Sequence, residues 1–99
     1  MVALDEARHR GWSYAVGWHQ EQRAYQARAW KPREKPKRTR YGVLLVLHSL
    51  SATGDTLDQA AELCAACVVR RESGVEHEDY LSDCEQRFVD AVAAWKPSR

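Results

Sequence analysis

Tyr41-Gly42-Val43-Leu44-Leu45-Val46-Leu47-His48-Ser49-Leu50-Ser51 is the apolar centre of this chain, and its conformation decides the fold class. Four leucines against two β-branched residues favour a short, deeply buried helix over 41–51. The alternative is a strand at about 41–48, which would make the protein α+β. The longest apolar run, Val43 to Leu47, is five residues, far below the roughly 20 needed to span a membrane.

On the N-terminal side, residues 3–30 are rich in Ala, Glu, Gln and Arg and contain no proline. Leu4, Ala7, Gly11, Tyr14, Trp18 and Tyr25 follow a three/four spacing, which predicts a long helix. Trp12, Tyr14, Val16 and Trp18 also alternate with period two, the signature of a strand; the helical flanks favour the helix. Pro32 ends it, and residues 31–40 read as an extended basic connector with six cations, one acid and prolines at 32 and 36.

On the C-terminal side, Ser51 to Asp55 is a turn, and Thr56-Leu57-Asp58-Gln59 opens a helix with a capping-box pattern. Its expected inward stripe is Leu57, Ala61, Cys64, Cys67 and Val68. Ser73-Gly74 stops it, and a second helix follows from about Glu76 to Trp95 with the stripe His77, Leu81, Cys84, Phe88, Val92 and Trp95. The short loop predicts an antiparallel helical hairpin over 56–96, with Cys64 beside Cys84 and Ala60 facing Phe88. The expected architecture is a single mainly α domain, a small four-helix bundle.

Charge is divided along the chain. Residues 1–50 hold ten Lys/Arg and four Asp/Glu; residues 51–99 hold five and ten. Opposite halves of this kind can pair within one molecule or between two copies. Lys31, Arg33, Lys35, Lys37, Arg38 and Arg40, flanked by Trp30 and Tyr41, interleave cations with aromatics as nucleic-acid contacts do. Trp12 and Trp18, with acidic Glu76, Asp79 and Asp83, are candidate protein-partner residues.

Cys64-Ala65-Ala66-Cys67 has metal-knuckle spacing, and Cys84 and His77 could complete a set of four ligands. All three cysteines fall on apolar stripes, where a thiol packs as a small hydrophobe, so no metal and no cofactor is expected. Val43 to His48, Gly54-Asp55 and Leu57 to Cys67 resemble the core of HNH nucleases, an apolar strand ending in His followed by a Leu-Cys-x-x-Cys knuckle. That resemblance implies His48 as general base and Cys64 and Cys67 as structural zinc ligands. Val68 stands where the knuckle has His or Asn, and Gln59 where it has Asn.

The function expected from these features is a small non-enzymatic binding or regulatory protein, as in phages and mobile elements. It would contact nucleic acid, or a complex that handles it, through residues 30–41. The alternatives are a protein–protein adaptor or homodimer using the basic and acidic halves, and a degenerate HNH-like zinc module. An acidic N-terminus without an apolar leader and the three cysteines place it in the cytoplasm, away from membranes.

Overall fold

Alternation, not the helical period, governs the first half of the chain. The computed structural model describes residues 2–40, 42–74 and 81–95. Its elements in chain order are α1 (Val2–His9), β1 (Ser13–His19), β2 (Ala24–Arg38), β3 (Leu44–Gly54), α2 (Leu57–Glu72) and α3 (Asp83–Ala94). The strands form one antiparallel sheet in the order β1-β2-β3. The protein is therefore α+β, and the mainly α bundle expected from sequence is overturned.

The helix expected over 3–30 is confined to α1. Gly11, at φ +95°, takes a backbone conformation that only glycine adopts cheaply, and the chain leaves the helix there. Beyond it, Trp12 just before β1, Tyr14 and Val16 of β1, and Tyr25, Ala27 and Ala29 of β2 reach one face. Leu50 and Ala52 of β3 join them. Leu4 and Ala7 of α1 and Ala60, Ala61, Cys64 and Val68 of α2 cover that face to make the main core. Alanines at 27, 29, 60 and 61 let α2 lie close to the sheet. Burial on this face outweighs the helical propensity of Ala, Gln and Arg, which is worth only tenths of a kcal/mol per residue, about.

Segment 41–51 is not a helix because both of its sides are used. Leu50 enters the main core, while Leu45, of opposite parity, packs with Val43 against Val89 and Leu81 in a second cluster. A strand in contact on both faces reads as a continuous apolar run. The basic segment is not a free connector either: it is the distal half of β2, where Lys37 and Arg38 pair with Leu45 and Leu44. Residues 33–36 bulge out between the Pro32↔Leu47 and Lys37↔Leu45 pairs. Prolines, lacking a ladder donor, are tolerated at such irregularities. The Arg33 Nε–H donates to the Leu47 carbonyl at 3.1 Å.

Helix α2 starts as expected: the Thr56 hydroxyl accepts from the Gln59 amide at 3.0 Å, and Gln59 Oε1 accepts from the Asp55 amide. Gly54 is required just before it, because a Cβ there would lie 2.8 Å from the Ala60 nitrogen. The helical hairpin over 56–96 is overturned. Helix α3 packs on β3 rather than on α2. Cys64 lies in the main core, Cys84 lies beside β3, Ala60 is buried and Phe88 is exposed, so neither expected cross-hairpin pair forms. Leu57 is exposed as well.

The reason lies in the first turn of α3. Ser82 is its N-cap in a full capping box with Glu85, and the Ser82 hydroxyl also donates to the Ser49 carbonyl of β3 at 2.5 Å. This fastens the start of α3 to the sheet with Glu85 and Val89 inward, and the Phe88/Val92/Trp95 stripe turns outward.

Candidate functional site

The polar centre of the molecule is Glu85, whose side chain is only 2% exposed. Its Oε2 accepts from Arg33 Nη2 at 2.5 Å, and its Oε1 accepts from Arg71 Nη2 at 2.9 Å and from the Ser82 amide at 3.0 Å. Arg71 Nη1 lies 3.1 Å from His48 Nδ1. A guanidinium can only donate, so Nδ1 is the acceptor and the neutral ring carries its proton on Nε2. The ring centroid of His48 lies 6.0 Å from that of Trp12. One carboxylate from the acidic half thus ties together β2, α2 and α3. A second, exposed contact between the halves is Arg10 to Glu72 at 2.9 Å.

Burial by itself would raise the Glu85 pKa. The Arg71 hydrogen bond, the Ser82 amide and both guanidinium charges outweigh it and hold the carboxyl below its ordinary range. Burial, with Arg33 and Arg71 adding to it, pushes His48 below the ordinary histidine value of 6.5. Both groups bind protons less readily folded than unfolded, so acid favours the unfolded chain. Stability should be complete above pH 6.5, fall as the pH drops below 6.5 through His48, and fall again below 4.5 through Glu85. Urea unfolding across this range checks the sign. In His48→Gln the upper step should vanish, and a wild-type profile flat from pH 7.5 to 5.5 would contradict the role given to His48.

Above the network lies a cleft of about 350 Å³ lined by Trp12, Lys31, Pro32, Arg33, Glu34, Lys35, His48, Arg71 and Glu72. A second groove of about 300 Å³ runs between β3 and α3. Leu44 to Leu47, Cys84 and Phe88 line it, with Arg28, Ser49 and Glu85. Its rim is openly apolar: Leu44 is 47% exposed, Val46 53% and Phe88 53%. Val92 and Trp95 continue the exposed stripe along α3.

The basic residues expected as one surface are dispersed. Arg33 is buried against Glu85, and Lys31 Nζ donates to the Arg10 carbonyl at 3.0 Å. Trp30 is half-buried on the sheet, in register with Ser13 and Ser49. Lys35, Arg38 and Arg40 are exposed. Lys37, half-buried, lines a separate depression with Arg38, Thr39 and Arg40. Tyr41, Glu76, His77 and Asp79 lie outside the described residues. Trp12 is a core residue, not a surface anchor. Trp18 is 53% exposed but makes an edge-on contact with its cross-strand neighbour Tyr25 at 5.1 Å. Asp83 is exposed in the first turn of α3.

The strand at Leu44–Gly54 is one element of the HNH pattern; of the candidate metal residues, His77 lies outside the described ones. Cys64 is buried in the core, where burial, with Cys67 adding to it, pushes its thiol up to about 12. Among the described residues no three His, Cys, Asp or Glu side chains are placed to hold a metal ion. Sequence reading missed the Glu85–Arg71–His48 network; the signal available for it was Ser82-Asp83-Cys84-Glu85, a capping box that marks where α3 begins. No family model matches the chain, no curated protein matches it, and no solved structure matches its fold. Among the described residues no helix is long and apolar enough to cross a membrane.

Proposed function

We propose that this protein is a non-enzymatic docking module that works through the groove between β3 and α3, with a second copy of the chain as its occupant. The observation that carries this reading is the orientation of α3. Its most apolar stripe, Phe88, Val92 and Trp95, faces solvent, while Glu85 and Val89 face inward. Leu44, Val46 and Leu47 of the edge strand β3 extend the apolar surface. Contiguous exposed apolar surface beside a strand edge is the usual mark of an interaction site. A patch of one chemistry complements itself, as a twofold interface requires. The basic and acidic halves support the reading differently from the sequence expectation: their pairing through Arg33, Arg71 and Glu85 lies inside one chain and aims α3.

Sedimentation tests the proposal. The wild-type chain should dimerise at micromolar concentration, and Val46→Glu or Phe88→Glu should shift it to monomer by at least about 2 kcal/mol. Both side chains are half exposed, so the monomer should keep its unfolding midpoint. A wild-type chain that stays monomeric, or variants that dimerise unchanged, would contradict it.

A second reading assigns nucleic-acid contact to the outer arm of β2. Lys35, Arg38 and Arg40 are exposed there, and Arg28 is exposed further along the same strand. Neutralising the first three together should abolish any salt-dependent binding to DNA or RNA.

A further inference from the structure

One face of the sheet, among the described residues, has no helix over its centre. α1 and α2 cover the face that carries Tyr14, Ala27, Ala29 and Leu50. On the reverse, α3 packs against β3 and leaves the adjoining stretch of β1 and β2 uncovered. Register places Trp30 there between Ser13 and Ser49, and Arg28 between Ala15 and Ser51. The cross-strand neighbours are small, so the indole and the guanidinium dominate these two rows. Lying two residues apart on one side of the strand, they are separated by about 7 Å.

The charge of this surface has one sign. β1 and β3 contain no Asp or Glu, and the single acid of β2 is Glu34, in the bulge. Arg28 is exposed and makes no ion pair among the described residues. A separate observation is a depression of about 320 Å³ beside Trp30, lined also by Arg28, Leu47 and Ser49. That volume lies at the low end of small-ligand pockets, where one flat ring system fits. The core of a protein interface would hold more apolar side chains than one indole and Leu47. An aromatic plane beside a cation instead stacks an unpaired base and pairs with its phosphate.

We propose that this face binds a single nucleic-acid strand, with one base stacked on Trp30 and its phosphate paired with Arg28. Lys35 and Arg38, exposed on the outer arm of β2, continue the positive charge along the same strand. The inference rests on the nucleic-acid reading of that arm and adds its ligand class, an unpaired strand whose bases are free to splay out. Arg28, Leu47 and Ser49 also line the β3/α3 groove, whereas Trp30 does not, so Trp30 separates this site from the dimer contact.

The test is fluorescence anisotropy of a labelled short oligodeoxythymidylate with the full chain, compared with the same backbone lacking bases and with a duplex of equal length. The strand with bases should bind about tenfold more tightly than the abasic one, the effect of one stacked base. Trp30→Ala should erase that difference and leave the salt dependence unchanged, since no cation is lost. Arg28→Ala, a change at an exposed position, should lower the slope of affinity against salt by about one. Should Trp30→Ala not fold, the wild-type comparison of strands with and without bases decides. Equal affinity for those two strands, or tighter binding of the duplex, would overturn the proposal. Binding that is lost on neutralising Lys35, Arg38 and Arg40 together but is indifferent to Trp30→Ala would sink this inference and keep the reading it rests on. No salt-dependent binding at all would sink both. Weaker self-association of Trp30→Ala with unchanged oligonucleotide affinity would give the face to a second copy and overturn the proposal.

Discussion

Glu85→Ala is expected to cost about 3–5 kcal/mol of folding stability, because it removes the buried carboxylate on which the Arg33 and Arg71 guanidinium groups converge. The loss extends beyond the ion pairs. The same carboxylate closes the capping box of α3 through the Ser82 amide, so the start of that helix loosens too. The apolar triple variant Arg33→Met, Arg71→Met, Glu85→Leu should recover most of the loss, since an apolar set of similar volume carries no desolvation cost. Urea unfolding of the single and triple variants measures both effects. A loss under about 1 kcal/mol for Glu85→Ala would mean that the three charges are solvated rather than packed.

Trp12→Ala is the second large effect, expected at about 3–5 kcal/mol. Trp12 is the largest fully buried side chain, set where α1 gives way to β1, and it joins Leu4 and Ala7 to the sheet. Its removal also uncovers His48, so the imidazole should return toward an ordinary histidine value. Trp12→Phe should lose less stability and leave His48 largely covered. Unfolding midpoints together with a histidine NMR titration separate the packing effect from the electrostatic one. A Trp12→Ala variant as stable as the wild type would place the core elsewhere.

Part of this architecture was legible from residues alone. The Thr56 cap, the stop at Ser73-Gly74 and the buried stretch Ala61, Cys64, Val68 mark α2 in local chemistry, and the helix forms there. The period-two run from Trp12 to Trp18 was also present. It lost to the helical composition around it because propensity is local, whereas strand pairing depends on residues 24–38 across the hairpin. The leucine-rich segment misleads for a related reason. A run buried on both faces has no period, so only its partners, α3 on one side and α2 on the other, distinguish strand from helix.

The direction of α3 was the least accessible feature. Its cleanest apolar stripe predicts burial of Phe88, Val92 and Trp95. Instead Glu85, paired with arginines 52 and 14 residues away in sequence, turns that stripe outward. A buried ion network is invisible to hydrophobic periodicity, because it is written in polar residues. The same network explains why the basic segment is not one surface, since Arg33 is drawn inward to meet the acid.

The docking proposal is tested most directly by intermolecular NOEs in an equal mixture of isotope-labelled and unlabelled chains. The account predicts contacts between the methyl groups of Leu44, Val46 and Leu47 in one copy and the Phe88 ring or the same methyls in the other. An equimolar sample that shows no intermolecular contact at these residues, or shows them only at the main core face, would contradict it.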